Sequence, residues 1–573
     1  MRSATSIGRW STRHPWRAIA AWLVFVVVAL AIGAAAGTKE LPNGAVGQSA
    51  RGYSMMNRNE LGGPATELAY IRGAGLDPAI RDVSNRFRAL TLKPQTRRSR
   101  NGQAAIVFVE LDHFVPVERI QAAVAQTARA YPRLTVEETG DISASEARDH
   151  VTNQDLHRAE LFSIPVTLVI LLVVFGAVVA ALVPVALALT AVAATFGLLG
   201  LLSQAFPIDD SVKTVVLLIG MAVGVDYSLF YIVREREERR RGKPPHEALD
   251  TTARTSGRTV IVSGTTVAIA MAGMYLAGLP VLNGIATGTI AVVACAVAGS
   301  VTVLPAVLEL LGPRIDRGRI PFLARDPGES GGRFWGAVVD GVLRHPVRYA
   351  AAATALLLAL AYPALSLHIS KPSDEALTDQ SEPALRALAA VRRDFPEAAD
   401  TAQVVVEVPP ASRAAAVGQV KRLQQLALAR GITHPPLQLS ANPQRTAVEI
   451  DMPLSGNGAN SASRDAVKLL RRELVPSTVG RVPGVEWAVT GTTAEDIDFT
   501  KQIADGLPYV IAFVLVLAFG LLLVAFRSIV VPLKAVVLNL LSVGAAYGVL
   551  ALVFEHSWAE PLLGFTSNGT IVS

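Results

Sequence analysis

The chain has 573 residues, of which 51% are hydrophobic and only 17% are charged, with a net charge of +6 at pH 7. Soluble globular chains usually carry about 25% charged residues, so this composition excludes a disordered protein, a fibrous repeat and most soluble enzymes. The single cysteine, Cys295, excludes a disulfide framework and a cysteine-rich metal site.

Nine apolar segments are long enough to cross a bilayer. A crossing takes roughly 20 residues, because lipid offers the backbone no hydrogen-bond partner. The nine predicted spans are 15–36, 161–180, 182–202, 214–233, 259–278, 284–311, 349–369, 507–525 and 529–554. The pattern predicts a tight turn near Val179 to Leu182 between the second and third spans, and another at Arg527 and Ser528.

The basic residues predict the orientation of these spans. The N-terminus and the stretches 234–258 and 312–348 are rich in arginine, and they lie on one side if the N-terminus is cytoplasmic. We therefore expect a multi-pass protein of the cell membrane. Its predicted order is N-terminus and first span (1–36), first extracytoplasmic domain (37–160), second to sixth spans (161–311), cytoplasmic linker (312–348), seventh span (349–369), second extracytoplasmic domain (370–506), and eighth and ninth spans with the end of the chain (507–573).

The sequence contains a parallel internal repeat. Residues 13–17 (RHPWR) precede the first span and residues 344–348 (RHPVR) precede the seventh, and a shift of 351 residues places Phe175 on Phe526. Such repeats are typical of secondary transporters. Because the first half has six spans and the second three, with the counterpart of Asp226 falling beyond residue 573, we expect a truncated form of a twelve-span protein rather than a natural nine-span protein.

The two predicted outer domains alternate strand and helix patterns. The predicted strands are 104–111, 134–138, 402–408, 446–452 and 485–490, and the predicted helices are 115–130, 411–430 and 462–474. A further helix is predicted to continue from about Asp141, and another from Thr492, into the next span. The predicted fold class is an α-helical polytopic membrane protein with two extracytoplasmic α+β domains. The chain has no catalytic motif and no phosphate-binding loop, so we do not expect an enzyme or an ATP-driven pump.

Asp226 is the only acidic residue well inside a predicted span. A carboxylate at mid-bilayer costs about 2.5–3.5 kcal/mol, and apolar surroundings favour its protonated form. An acid that releases its proton when wetted from one side can couple transport to a proton gradient. Tyr227 and Ser228 offer hydroxyl groups to the same relay. The alternative is an aspartate satisfied by hydrogen bonds that merely holds helices together.

Three more residues are assigned to this region. Gly220 and Gly224 share a helix face with Tyr227 and are expected to let another helix approach closely, as ordinary packing. Ser263 in the fifth span is a further relay candidate, although bonding of its hydroxyl back to the helix is the commoner role. The proton is the expected coupling ion, with no other cofactor and no metal.

The motif around Asp226 resembles the MMPL (mycobacterial membrane protein large) family of the resistance–nodulation–division superfamily. The residues that carry the resemblance are 224–230 (GVDYSLF), 234–238 (REREE) and 257–260 (GRTV). The resemblance implies twelve spans, two porter-like outer domains and export of lipids or other hydrophobic molecules by the proton gradient. It also implies one Asp-Tyr pair in each repeat, of which the first matches Asp226 and Tyr227.

Three functions are compatible with these patterns. The first is proton-driven export of lipids or other hydrophobic molecules. The second, a near variant of the first, is a drug or antibiotic efflux pump. The third is a sterol-sensing-like membrane receptor that transports nothing. The expected partners are a hydrophobic or lipid substrate and membrane lipids, which the arginines of 234–241 would meet. No nucleic acid is expected, and a homo-oligomer is left open.

Overall fold

A computed structural model of the chain describes residues 2–41, 45–62, 64–111, 115–209, 211–318, 331–366, 369–370, 382–395, 401–435, 437–455, 461–560 and 571–572. The α-helices, in chain order, are α1 (Arg2–Arg13), α2 (Pro15–Ala36), α3 (Gly47–Arg58), α4 (Asp77–Ala89), α5 (Val117–Ala130), α6 (Asp141–Phe175), α7 (Val178–Leu202), α8 (Ser211–Arg240), α9 (Pro245–Ala272), α10 (Pro280–Leu311), α11 (Gly331–Arg344), α12 (Pro346–Ala361), α13 (Pro383–Asp394), α14 (Arg413–Ala429), α15 (Ser461–Leu469), α16 (Val475–Ser477), α17 (Thr492–Phe526) and α18 (Val530–Phe554).

The strands are shorter and form three sheets, two of four strands and one of two strands. They are β1 (Thr66–Arg72), β2 (Gln95–Arg98), β3 (Ala104–Glu110), β4 (Thr135–Gly140), β5 (Ile369–Ser370), β6 (Thr401–Glu407), β7 (Gln438–Ala441), β8 (Ala447–Pro453), β9 (Glu486–Thr490) and β10 (Ile571–Val572). The chain divides into a helical unit (1–44, 156–365 and 502–549) and a sheet-containing unit (45–155, 366–501 and 550–573).

Eight helical segments of the described chain are long and apolar enough to cross a membrane: Pro15–Ala36, Val178–Leu202, Ser211–Arg240, Pro245–Ala277, Pro280–Leu311, Pro346–Leu365, Thr492–Phe526 and Val530–Phe554. They correspond to eight of the nine predicted spans. The remaining predicted span, 161–180, falls on the end of α6, where a shorter apolar stretch, Pro165–Phe175, is described. The side chains of 152–164 lie outside the described residues. The protein is therefore a polytopic membrane protein.

Helices α2 and α7 approach each other backbone to backbone. A Cβ atom added to Gly197 would collide with the backbone of Ala29 and Leu30, and one added to Gly200 would collide with Gly33. The Trp22 indole N–H in α2 also donates to the Thr190 hydroxyl in α7 over 3.0 Å. Small residues in membrane helices allow such approaches, because packing replaces the hydrophobic effect as the driving force.

The predicted turn at Val179 to Leu182 is wrong. These residues lie inside α7, and the chain turns at Gly176 and Ala177 instead. Gly176 has a φ of +63°, the left-handed conformation in which glycine ends a helix without a steric penalty. The apolar run continues through this turn, so hydropathy alone did not reveal the break. The other predicted turn, at Arg527 and Ser528, is confirmed between α17 and α18.

The basic stretch 234–258, which lies between two predicted spans, is mainly helical and is not a loop. Helix α8 continues to Arg240 and α9 begins at Pro245, so only four residues between them lie outside a helix. Glutamates three or four residues from arginines extend α8, since such pairs meet on one helix face. Examples are the ion pairs of Arg234 with Glu237 (2.9 Å) and with Glu238 (2.8 Å).

The sheet-containing unit has two four-stranded antiparallel sheets with the same topology. Their strand orders are β2-β3-β1-β4 and β7-β8-β6-β9. With a helix after the first and third strands, each follows the β-α-β-β-α-β ferredoxin-like pattern. The predicted strands and helices of both outer segments are confirmed to within two residues at their ends, except that α15 ends at Leu469 and a wider helical turn continues it to Leu474. The sequence patterns missed β1, β2 and β7, as well as α3, α4 and α13.

Each sheet has its own apolar core. Val83 and Phe87 of α4 and Ile120 of α5 are buried against the first sheet. In the second sheet, Val404 of β6 and Ile450 of β8 are buried against α14 and α15. Two helices are exchanged, since α3 packs on the second sheet and α13 on the first. Every second strand residue faces the helices, as the two-residue period of a strand requires.

The repeat is visible in the longest helices. A shift of 351 residues maps the whole of α6, Asp141–Phe175, onto the whole of α17, Thr492–Phe526, and both helices have 35 residues. The prediction that a helix continues from Asp141, and another from Thr492, into the next apolar segment is therefore confirmed by the helix bounds. The same shift aligns Gly176 with Arg527, and both residues have a positive φ.

Candidate functional site

Helix α8 carries the residues that the sequence assigns to proton transfer. The Asp209 carboxylate accepts the N–H of Ser211 over 3.0 Å and so caps the start of the helix. On its buried face, a Cβ atom added to Gly220 would lie 2.5 Å from a methyl group of Val292 and 2.6 Å from one of Val192. One added to Gly224 would lie 2.8 Å from the Ala188 Cβ. These two glycines therefore sit where α7 and α10 pack tightly against α8.

Asp226 lies on the opposite, exposed face of α8. Leu218, Ala222, Phe230 and Val233 are exposed on the same face, at the spacing of successive helical turns. In the part of the chain that the structure describes, Asp226 makes no hydrogen bond and no ion pair. A single carboxyl group therefore interrupts an apolar stripe. Because an unpaired charge in hydrocarbon is costly, the stripe needs a protonated Asp226, water or a polar neighbour at this point.

Tyr227 points into the helical unit rather than along this stripe. Its ring is 6% exposed and packs against Val260 and Val301. Its hydroxyl oxygen would lie 3.4 Å from a Cβ atom added to Gly264, so it reaches the surface of α9. Adjacent residues on a helix diverge by about 100°, which separates the Tyr227 hydroxyl from the Asp226 carboxyl.

Ser228 and Ser263 have different surroundings. Ser228 is buried, and its hydroxyl donates to the Gly224 carbonyl oxygen over 2.8 Å. Its donor is therefore already used within α8, and only its acceptor capacity remains. Ser263 is exposed on α9, one residue before Gly264. Its neighbour Thr266 makes the expected bond back to its own helix, to the Val262 carbonyl over 2.9 Å.

The sequence pattern that describes the MMPL family matches residues 76–349 and 376–568. This is well over half of the chain. The chain belongs to the MMPL family.

Curated relatives agree with this assignment. MmpL11 of Mycobacterium tuberculosis H37Rv, described as a heme uptake protein, is 35% identical over 455 residues, which are 78% of this chain and 46% of that protein.

Two further MMPL relatives come from Mycolicibacterium smegmatis. MmpL11, described as an exporter of mycolic acid-containing lipids, is 35% identical over 74% of this chain and 44% of its own length. MmpL3, described as a trehalose monomycolate exporter, is 28% identical over 72% of this chain and 43% of its own length. This MMPL chain thus spans about half the length of the curated relatives that it matches.

The basic end of α8 in this MMPL chain contains a cluster of ion pairs that the sequence patterns did not predict. Glu235 and Glu238 are almost fully buried and pair with Arg239 and Arg234 respectively. Arg241 at 2.8 Å and Lys243 at 2.7 Å add two more cations to Glu238. The spacing of these glutamates from the arginines is visible in the sequence and could have predicted the pairs.

Arg236 in the same cluster is also occupied. Its guanidinium donates to the Phe175 carbonyl oxygen over 3.0 Å and lies 5.3 Å from the centre of the Phe175 ring. It therefore satisfies a carbonyl at the end of α6. These contacts give the arginines of 234–241 partners within the protein, which weakens the hypothesis that they mainly meet lipid headgroups.

Proposed function

We propose that this protein exports lipids or other hydrophobic molecules across the cell membrane and that the proton gradient drives the export. Membership of the MMPL family and eight apolar helices support a transporter rather than an enzyme. The substrate class is suggested by relatives described as exporters of mycolic acid-containing lipids and of trehalose monomycolate. The observation that carries the proton coupling is the unpaired Asp226 in the apolar stripe of α8.

Asp226 is proposed as the group that takes up and releases the proton. Since the described structure gives it no ionic partner, a proton is the simplest way to remove its charge while the stripe is dry. When water reaches the same face, hydration lowers the free-energy cost of the ionised carboxylate and the proton can leave. Gly220 and Gly224 support this role by fixing α8 closely against its neighbours, so that the carboxyl group stays on the outer face.

The three hydroxyl groups are proposed to help in different ways. Ser263 is exposed on the neighbouring helix and is the best placed to exchange a proton through water. The Tyr227 hydroxyl, at the surface of α9, belongs to an inner path between the helices. Ser228 contributes only as an acceptor, because its own proton is held by the Gly224 carbonyl.

The proposed orientation follows the distribution of basic residues. The N-terminus and the linker 312–348 are proposed to be cytoplasmic, and the segments 37–160 and 370–506 extracytoplasmic. The ferredoxin-like sheets would then lie on the side to which substrate is delivered. The helices α6 and α17 would carry movements between these sheets and the spans that follow.

The test is transport by the protein reconstituted into lipid vesicles with an imposed pH gradient. Asp226→Asn should fold normally and lose at least 100-fold in the export rate of a fluorescent long-chain lipid. Asp209→Asn is the matched control, since this carboxylate caps α8 outside the apolar run, and it should retain transport. Equal export by Asp226→Asn and the unmodified protein would exclude the proton role.

The same vesicles separate the alternative substrates. Parallel assays with hemin and with hydrophobic antibiotics distinguish a lipid exporter from a heme transporter or a drug efflux pump. A protein that binds lipid but moves none of these compounds under any gradient would instead be a receptor. We expect the lipid to move fastest, and movement of an antibiotic alone would overturn the lipid assignment.

A further inference from the structure

Two carboxyl groups are buried together in the first sheet, away from the residues already discussed. Glu67 of β1 is fully buried and Glu138 of β4 is 8% exposed. Glu67 pairs in register with Gly140, two residues from Glu138, so the two side chains lie on the same face of adjacent strands. At such diagonal positions, long side chains reach each other.

Glu67 caps the first turn of α6. One of its carboxylate oxygens accepts the backbone N–H of Ile142 (2.8 Å) and that of Ser143 (3.2 Å). The other accepts the Ser143 hydroxyl over 2.7 Å. An ionised carboxylate suits this position, because the N-terminus of a helix presents free N–H donors and a partial positive charge. Asp141 makes a separate bond, accepting the Thr66 N–H over 2.8 Å.

Glu138 has no comparable set of donors. Its Oε1 atom is buried without a hydrogen-bond donor in the described part of the chain. Two carboxylates that share a buried site cannot both be ionised, but a proton on Glu138 would supply the missing hydrogen bond. Burial and the adjacent Glu67 carboxyl group raise the pKa of Glu138 well above its usual range.

The second sheet provides an internal comparison. Register pairs Leu68 with Thr139 in the first sheet and Gln403 with Thr490 in the second, so the counterparts of Glu67 and Glu138 are Ala402 and Val489. Both counterparts are apolar and almost fully buried. The same topology therefore forms without the two acids, so the fold does not require them. A buried acid pair that the fold does not need calls for another role.

A cavity of about 720 Å³ gives Glu138 a route for proton exchange. Glu138 and Ser143 line it, together with apolar residues of α5 and α13. The other charged or titratable groups that line it are Arg129 of α5, Glu137 of β4, Glu146 and His150 of α6, and Glu382 and Arg386 at the start of α13. Two of these acids have basic partners, since Glu137 pairs with Arg386 (3.2 Å) and Glu382 with His150 (2.8 Å).

We propose that Glu67 and Glu138 form a proton-binding site that, when its proton is bound, holds the first turn of α6 on the first sheet. Loss of the proton leaves two carboxylates side by side, and their repulsion weakens the cap on Ile142 and Ser143. The site would make the start of α6 sensitive to pH independently of Asp226. It is a proton site in the sheet-containing unit, whereas the proposed transport site lies in α8.

The direction of the pH dependence follows from proton linkage. With α6 docked, Glu138 keeps its proton above the ordinary glutamate pKa of about 4.3, whereas a released Glu138 ionises there. The docked state is therefore favoured at low pH, and this advantage is lost as pH rises through the higher pKa of the docked form. Between the ordinary pKa and the pKa of the docked form, one proton is released when α6 leaves the sheet. The equilibrium constant for this opening therefore rises tenfold per pH unit.

Hydrogen exchange at the amides of Ile142 and Ser143, measured on the full chain in lipid nanodiscs from pH 5 to pH 9, tests this proposal. After correction for intrinsic exchange, the unmodified protein should open more readily as pH rises, by up to tenfold per unit. Glu138→Gln keeps a donor to Glu67 but cannot ionise, so its profile should be flat. Glu146→Gln, on the same cavity, is the matched control and should keep the unmodified profile.

Two outcomes would overturn the proposal. One is a flat profile in the unmodified protein, which needs no variant to interpret. The other is an unchanged slope in Glu138→Gln, which would assign the pH dependence to a different group. Glu138→Val, which copies Val489, serves as a second variant if the glutamine does not fold, and it should also be flat. Asp226→Asn should retain the slope, so a failed transport assay and a failed proton site can be told apart.

Discussion

Arg471 and Asp498 form a largely buried ion pair in the sheet-containing unit. The guanidinium contacts both carboxylate oxygens at 2.6 and 2.8 Å, and it also donates to the Val489 carbonyl. Ser49 donates its backbone N–H and its hydroxyl to the same carboxylate, at 2.8 and 2.6 Å. The pair therefore joins α3, the helical turn after α15 and the start of α17. Burial alone would raise the pKa of Asp498, but the bonds from Arg471 and Ser49 outweigh it and lower the pKa.

Arg471→Met should destabilise this unit by about 3 kcal/mol, because it leaves a buried carboxylate without its cation. A carboxyl group with a lowered pKa stabilises the fold above the ordinary value of about 3.9, and the effect is lost as pH falls through the lower folded value. The variant should therefore lose part of the acid sensitivity between pH 4 and pH 2. Thermal unfolding as a function of pH measures both effects. Arg472→Met, at the exposed neighbour, is the control and should shift the midpoint little; equal shifts would contradict the argument.

Single residues differ in how far the sequence predicts their role. Asp226 could be singled out as a candidate, because an acid inside an apolar run conflicts with its surroundings whatever the fold. The Glu67 and Glu138 pair was not, because it arises only when two strands about 70 residues apart lie side by side. Ser228 illustrates a third case. Its position in the motif is visible, but the donation to Gly224 that occupies its hydroxyl depends on the local helix geometry.

At the scale of elements, the exchanged helices α3 and α13 determine which sheet a distant segment stabilises. Met55 of α3 is fully buried among Val405, Ala447 and Ala488 of the second sheet. Asp394 at the end of α13 accepts the Tyr70 hydroxyl from the first sheet over 2.5 Å. The residues that precede the first sheet in sequence thus complete the second, and the reverse holds for α13. Neither exchange is visible in sequence patterns, since both helices are short and amphipathic.

Met55→Ala should destabilise the second sheet by about 2–5 kcal/mol, the usual cost of a cavity left by a large buried side chain. Hydrogen exchange should show the loss of protection in β6, β8 and β9, while β1 and β3 keep theirs. Ser54→Ala, at the exposed adjacent position of α3, is the control and should leave both sheets unchanged. A loss of protection confined to the first sheet would show that α3 does not act through the contacts described.

The elements that the sequence predicted are those with strong patterns. Strands β3, β6, β8 and β9 contain valine and alanine at mostly buried positions, and all four were predicted. Strands β2 (QTRR) and β7 (QLSA) were missed, because both are short, polar and mostly exposed at sheet edges. The turn at Gly176 was missed for the opposite reason: its flanks are so apolar that one glycine does not interrupt the hydropathy signal.

At the scale of the molecule, the duplication accounts for most of the architecture. Both sheets have the same strand order, and a shift of 351 residues aligns α6 with α17 from the first residue to the last. The repeats nevertheless diverge at polar sites, since the positions of Glu67 and Glu138 in the first sheet are occupied by Ala402 and Val489 in the second. The fold tolerates either solution. Differences between repeats therefore point to function more directly than similarities do.

The proposed proton coupling would limit the concentration gradient of substrate that the protein can build. A proton that crosses 100 mV releases about 2.3 kcal/mol, which equals roughly a 50-fold concentration ratio at about 1.4 kcal/mol per factor of ten. In vesicles bearing the protein, the steady-state ratio of lipid concentrations across the membrane should rise with imposed voltage, up to this limit for one proton per substrate molecule. A slope twice as steep on a logarithmic scale would indicate two protons. Asp226→Asn should give a ratio of one at every voltage, and a voltage-independent ratio above one in the unmodified protein would exclude coupling to the proton gradient.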